Sequence, residues 1–545
     1  MTTAGSDTAD PSRPHPQDAR AGERPTGSLP DTPSSAGRLL RTAGLVTVIA
    51  SMGSLLGLVR DATIAGSYGA SSATDAFFVA WTIPETASPL LLQEALTYLL
   101  IPVLSRELVR HGSVQRVVDR TFVPALLLLA VLTGLVALAA PLITHLLAPG
   151  LEDPAVAITC VRIASLTVFF LGITGYLTAT LQATGSFVVP AWVYIVYNLG
   201  IVAAILVLAD RMGIYAAAIG LALGSAGMAT VQLVPFLRRA SMRRLHVRFD
   251  RRVAVALLMF LPVAAYTLGR QGQVYVERII ASDLGPGAIS QLNFASKTGQ
   301  MAILLTSVVA AVAFPGLARH AAADRTDELR TGVERTLRLG ALLVLPLSAA
   351  LVVFAPETIG LLFQRGAFDA ADTAATTDIL RLYSTGLVGQ TVVNIAVLCF
   401  FSAGARTWYP ALAAGGGLVA TVLVDILIAP VMGAPGLALG NAAGITFTAV
   451  VLLLGIRRRV VEIRWARLAD LLWRATLAAG LAAAAGWGAI HLLPAHSANA
   501  LVLFLGGSLL LVTFVAAAAV LGVAEIREAR RAVGARLRLR RRTGP

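Results

Sequence analysis

Lys297 is the only lysine in a chain whose Lys and Arg together number 44, and it lies within the apolar run 288–318. An ionisable side chain at membrane depth is costly enough to mark a functional site by default. Other charges share that depth. Glu85 and Glu94 lie along one apolar segment that Asp75 opens, and Arg60 and Asp61 end the segment before it. Arg270, Glu277 and Arg278 fall in the segment preceding Lys297. These types support ion pairing in a hydrated cavity, with acid mainly in the first half of the chain and base in the second. Such a cavity suits a substrate with anionic phosphates and polar head groups better than a small apolar drug. For Arg60, Asp61, Asp75 and Arg278 the simpler alternative is snorkelling from a helix end to the interface. Glu85, Glu94 and Lys297 lie further in, where a charge facing no cavity would lack a partner.

A second constellation is Thr421 and Asp425, four apart and so on one helix face, followed after the Pro430–Pro435 turn by Asn441. With the Glu277 carboxylate, these oxygen ligands on adjoining helices form a candidate site for a monovalent cation. Ordinary interhelical hydrogen bonding is the alternative reading of the same residues. No enzyme chemistry is visible. The chain has no phosphate-cradling Gly-Lys-Ser/Thr loop, no metal-spaced histidine cluster and no Gly-x-Ser-x-Gly elbow, while His145, His491 and His496 stand at helix ends. An enzyme, and an ATP-driven pump in particular, is therefore not expected, and no cofactor is called for beyond a coupling ion or the membrane potential.

The elements that must position these groups follow from composition. A chain of 545 residues that is 56% hydrophobic and 14% charged, with mean hydropathy +0.75, is a polytopic all-α membrane protein. A hydrocarbon core of about 30 Å needs roughly 20 apolar residues per helix. Dividing the chain at its charged or Pro/Gly-rich breaks gives about 14 segments, from 39–60 and 74–101 through 253–281 and 288–318 to 499–523. Alternate breaks are crowded with arginine, notably 106–120, 238–252 and 457–467, and the breaks between them are nearly free of it. By the positive-inside rule the crowded breaks and both termini are cytoplasmic. The +14 net charge thus serves topology, and no nucleic acid is needed to account for it. Residues 1–37 have the composition of a disordered cytoplasmic tail, and 524–545 form a basic tail suited to anionic lipid. No signal peptide is visible, and Cys160 and Cys399 lie in separate apolar segments that imply no disulfide.

The chain also repeats itself. Residues 61–69 (Asp-Ala-Thr-Ile-Ala-Gly-Ser-Tyr-Gly) answer 277–285 (Glu-Arg-Ile-Ile-Ala-Ser-Asp-Leu-Gly), and in the same register 75–80 answer 291–296. This predicts two six-helix lobes, 38–237 and 253–456, joined by the basic linker 238–252 and followed by two further helices within 457–523. Because six is even, both lobes enter from the same side, and a substrate site is expected between them.

Three stretches carry a resemblance: 57–61 (Gly-Leu-Val-Arg-Asp), 69–80 (Gly-Ala-Ser-Ser-Ala-Thr-Asp-Ala-Phe-Phe-Val-Ala) and 361–369 (Leu-Leu-Phe-Gln-Arg-Gly-Ala-Phe-Asp). Over roughly residues 39–523 the chain resembles the MurJ (MviN-type) lipid II flippases of the multidrug/oligosaccharidyl-lipid/polysaccharide (MOP) superfamily. The resemblance implies lobes around a central cavity, alternating access, and export of an undecaprenyl-pyrophosphate-linked peptidoglycan precursor across the bacterial cytoplasmic membrane for cell-wall synthesis. It implies a polyprenyl-pyrophosphate-linked glycan, membrane lipids and envelope-synthesis proteins as partners. Arg60, Asp61 and Asp75 match family positions directly and Lys297 falls where the family has a cavity arginine; together with the deep charges Glu85, Glu94 and Arg270 these are the residues expected at the substrate. The resemblance also makes Glu277, Thr421, Asp425 and Asn441 similar to a sodium site of some members. The chain departs from the pattern at Ser88-Pro89, where a basic pair is usual, at Ser54, and at Gln93-Glu94. Cavity cations are thus replaced, in part by acids, which leaves open a flippase for another polyprenyl-linked oligosaccharide or a non-transporting scaffold of envelope synthesis.

Overall fold

A computed structural model describes residues 33–240, 251–323, 325–402, 408–492, 494 and 498–526. Most of the two predicted tails and of the predicted linker lies outside these residues. Everything described is helix or short connection. The first half comprises α1 (Pro33–Tyr68), α2 (Ser72–Ala87), α3 (Ala95–His111), α4 (Gln115–Leu138), α5 (Ala140–Leu147), α6 (Pro154–Ala183), α7 (Val188–Ala191), α8 (Val193–Met212) and α9 (Tyr215–Leu237). The second comprises α10 (Arg251–Ala281), α11 (Ala288–Ala322), α12 (Thr326–Val353), α13 (Ala355–Phe363), α14 (Ala370–Thr385), α15 (Leu387–Ser402), α16 (Trp408–Met432) and α17 (Ala434–Arg459). Two more, α18 (Trp465–Leu492) and α19 (Asn499–Val520), pack on each other and against α12 and α13.

Helices are the form such a chain must take, because lipid offers backbone amides no partner and each must be satisfied within its own segment. Large apolar side chains accordingly point outward, as Leu127, Val131 and Leu135 do on α4 and Leu423 and Leu427 on α16. Among the described residues 11 helices are long and apolar enough to cross a membrane, and α14 with α15, bent by 46° at Gly386, makes up to 12. The other two of the 14 segments, 74–101 and 253–281, are helical but do not appear among those spans. The first is interrupted: between α2 and α3 residues Ser88–Glu94 form a π-helical run.

Contact between helices rests on small residues. A Cβ on Gly200 would come within 2.6 Å of the Gly224 Cα, so α8 and α9 touch backbone to backbone. On α17 a stripe of Gly436, Gly440 and Gly444, one every four residues, lies against α16. Cβ atoms added to Gly440 and Gly444 would collide with Asp425 and Thr421. The two halves meet chiefly through α2 on α11, α3 and α5 on α10, and α1 on α13. Beneath that junction Phe78 of α2, Phe294 of α11 and Phe368 stack edge to face, with centroids 5.4 and 5.6 Å apart, all fully buried. This aromatic wedge fixes α2 against α11 and so sets where the charges on both helices meet.

Candidate functional site

Glu85 stands in the last turn of α2, and its two carboxylate oxygens are divided between two cations from the other half. Oε1 accepts from Lys297 Nζ of α11 at 2.7 Å, and Oε2 from Arg278 Nη2 of α10 at 2.9 Å. Arg278 Nη1 also donates to the Thr82 hydroxyl one turn earlier on α2. Local sequence explains the placement. Pro89 has no amide to give the Glu85 carbonyl, and Gln271 Nε2 of α10 donates there at 3.2 Å. Nearby, Thr86 and the Tyr275 hydroxyl lie 2.5 Å apart. The cluster carries one negative and two positive charges. Its side chains differ in access: Arg278 is 4% exposed, Glu85 16% and Lys297 22%, so the lysine is its open side.

Arg60 and Asp61, which the sequence predicts at the end of the first helix, lie well inside it, because α1 continues to Tyr68. A buried arginine there requires partners within the bundle rather than an interface to reach. Arg60 donates twice to Asp61 Oδ1, at 2.7 and 2.8 Å, and once to Asn198 Oδ1 at 2.8 Å, and its guanidinium lies 4.4 Å over the Trp81 ring. Asn198 in turn donates to the Gly53 carbonyl. The pair thus adjoins Trp81, one helical turn before Glu85, and among the described residues no hydrogen bond joins it to the Glu85 cluster.

Asp75, expected to face substrate, is instead turned across the junction. Oδ2 accepts from the Gly287 amide and Oδ1 from the amide and hydroxyl of Ser290, all at 2.7 Å. Gly287, at φ +88°, is the N-cap position of α11 and has no side chain to cap with, so an acid from α2 caps a helix of the other half. Asp372 of α14 makes the reverse contact, accepting from the Ala70 amide just before α2 at 3.1 Å. The Ala367 amide donates to the Gly66 carbonyl at 2.9 Å, and the Gly150 amide to the Ser282 hydroxyl at 3.1 Å. Together these close a seam where the connections after α1, α5, α10 and α13 converge.

The four residues expected at a cation are brought together. Glu277, beside Arg278 on α10, accepts from the Tyr383 hydroxyl at 2.5 Å and from the Asn441 side-chain amide. Thr421 accepts from Gln273 Nε2 at 3.0 Å. Asp425 is fully buried against Gly440, and neither of its oxygens has a hydrogen-bond partner among the described residues. Two carboxylates with hydroxyl and amide oxygens make a donor set fitted to a hard monovalent ion. An orphan carboxylate at depth is the feature that fits the ion best, since burying one without compensation is prohibitive.

One expected substrate residue stands apart, and the side chain of another is not among those described. The Glu94 side chain lies outside what the structure describes. Arg270 is exposed on α10, beside a small cavity shared with Gln273, Gln390 and Thr448, and has no carboxylate partner among the described residues. Conversely, sequence pattern does not single out Asn198, Ser290, Asp372 and Tyr383 as site residues, and it leaves Arg278 open between a deep functional charge and one that snorkels from a helix end. Arg278 alone carries a signal, as a charge adjoining Glu277 within an apolar helix.

The family model described as lipid II flippase MurJ matches residues 64–526. The chain belongs to the MurJ family. It is 28% identical over 439 residues to the lipid II flippase MurJ of Burkholderia cenocepacia, covering 77% of this chain and 84% of that one. To the probable lipid II flippase MurJ of Synechocystis it is 24% identical over 475 residues, 83% and 88% of the two chains. Among solved structures, a lipid II flippase MurJ in an inward closed conformation superposes with TM-score 0.74 at 19% identity, covering 89% of this chain and 99% of that one. An inward-facing multidrug resistance MATE transporter of the MOP superfamily does so with TM-score 0.65 at 16% identity, over 79% and 98%. This MurJ-family chain is therefore a multi-pass membrane protein with the fold of the MOP transporters, and a member of a transporter family rather than an enzyme.

Proposed function

We propose that the protein flips lipid II, the undecaprenyl-pyrophosphate-linked peptidoglycan precursor, from the inner to the outer leaflet of the bacterial cytoplasmic membrane by alternating access. One observation carries the reading beyond family membership: Arg278 and Lys297 converge between the halves of the bundle, where a pyrophosphate would find paired cations. With the arginine-crowded connections and both termini cytoplasmic, the Asp75 seam is the outer gate in its closed state, and the cluster is reached from inside. Lys297 and Arg278 then hold the pyrophosphate and Arg270 adds charge along the way. Arg60 and Asp61 brace α1 against α8, and Asp75 opens and recloses the gate. Glu277, Asp425, Thr421 and Asn441 would hold a sodium ion, which would supply a coupling charge; Glu277 adjoins Arg278 on the same helix.

Depletion of a host's own lipid II flippase is the test. Expression of this chain should restore growth and the arrival of lipid II at the outer leaflet. Normal membrane insertion without restored translocation would overturn the reading in favour of a flippase for another polyprenyl-linked oligosaccharide or of a scaffold.

A further inference from the structure

The cations that the proposed function assigns to pyrophosphate are already occupied, because Glu85 holds both. Its carboxylate is the right size and charge to stand for one phosphate group, and it engages Lys297 and Arg278 with separate oxygens at 2.7 and 2.9 Å, as two oxygens of a bound phosphate would. We infer that Glu85 is an internal counter-ion which the substrate's pyrophosphate displaces from Lys297 and Arg278, and that this exchange makes the cavity select pyrophosphate-linked lipids over singly charged phosphodiester lipids. The inference rests on the flippase reading and gives it a selectivity.

The reasoning is charge arithmetic within a buried site. Two cations less one carboxylate leave a net charge of +1. A phosphodiester head group brings one negative charge, so replacing Glu85 with it gains no ion pairing and leaves a carboxylate displaced. A pyrophosphate diester brings two, matches both cations at once and leaves a surplus to offset that displacement. Phosphodiester lipids are the solvent of this protein and vastly outnumber any lipid-linked glycan, so unguarded cations between its halves would be filled by them. Exchange also requires a route in, and Lys297, the most exposed of the three, provides it. Neutral Thr82 and the Gln271 amide are placed to keep Arg278 and the backbone of Glu85 in position while the carboxylate moves. A purely structural ion pair would behave differently, since breaking it would weaken the site for every ligand.

The test uses the full chain purified in detergent, with a short-chain lipid II analogue as the pyrophosphate diester and a short-chain phosphatidylglycerol as the phosphodiester. The parent should bind the first and discriminate strongly against the second. In Glu85→Gln, binding of the phosphatidylglycerol should tighten by about tenfold or more and the ratio between the two ligands should fall accordingly, because a desolvated competing charge has been removed. Glu85→Asp, which keeps the charge but shortens its reach, should move the same way by less, and it decides the matter alone should Glu85→Gln not fold. Unchanged or weaker phosphatidylglycerol binding in folded variants, with the parent still binding the analogue through Lys297, would overturn the inference and leave the flippase reading standing. A parent that fails to bind the analogue, with Lys297→Ala making no difference, would overturn the flippase reading and the inference with it.

Discussion

Asp75 and Glu85 sit on the same helix, α2, ten residues apart, and both reach across to the other half of the molecule, yet they are served by different chemistry. Asp75 is held at the start of α11 by a hydroxyl and by two backbone amides, and the amides cannot turn away unless the helix itself moves. Glu85 is held by the ends of two long side chains, which can exchange one anion for another without any helix moving. One contact therefore answers to the arrangement of the halves and the other to what occupies the space between them. A carrier that works by alternating access needs both kinds, a latch that only a rearrangement releases and a sensor that only a ligand releases.

Each side of that comparison can be broken separately. The largest effect is expected at Lys297, where truncation to alanine removes the open cation of the cluster and leaves Glu85 paired with Arg278 alone. Lys297→Ala should abolish translocation in the complementation assay while Lys297→Arg largely retains it, and equal tolerance of both would remove the ionic half of the contrast. Asp75→Ala should come next. It leaves the Gly287 and Ser290 amides without their acceptor and α11 uncapped, a loss of about 1–3 kcal/mol. Its mark should be a seam that opens without substrate, read as raised reactivity of a cysteine placed at Ser71, with binding of a lipid II analogue preserved. Asp425 sharpens the comparison by adding a carboxylate that has no hydrogen-bond partner among the described residues. Sodium should raise the thermal stability of the parent by about 1.4 kcal/mol at ten times its Kd. Asp425→Ala should abolish that increment, and a parent indifferent to sodium would remove the ion site.

Much of this is legible in the sequence, though unevenly. Hydropathy and the placement of arginine specify a helical membrane protein, and the isolation of Lys297 in an apolar run is enough to mark it out. The grouping of Thr421, Asp425 and Asn441 is legible too, because two are a helical turn apart and the third follows a tight turn. The partner of Lys297 is not legible. Glu85 lies 212 residues away, and nothing in local spacing tells which of several deep acids an ammonium will meet once α2 and α11 are packed. The role of Asp75 is hidden for a related reason. Its donors are mostly backbone amides, which have no identity in a sequence, and the need for a cap arises only because Gly287 stands where a capping side chain would be. A charge such as Arg60 reads as a helix end, whereas Asn198 and Trp81, distant in sequence, let α1 carry it within the bundle.

The replacement of lysine by arginine everywhere but at position 297 has a practical consequence. Apart from the α-amino group, the protein offers amine-directed reagents one site, and that site is the open member of the central cluster. Reductive methylation with an isotopic label would therefore place a resolvable magnetic resonance probe on the ammonium itself, in the full-length chain and without a single mutation. Its chemical shift would follow which anion the ammonium faces as ligands come and go.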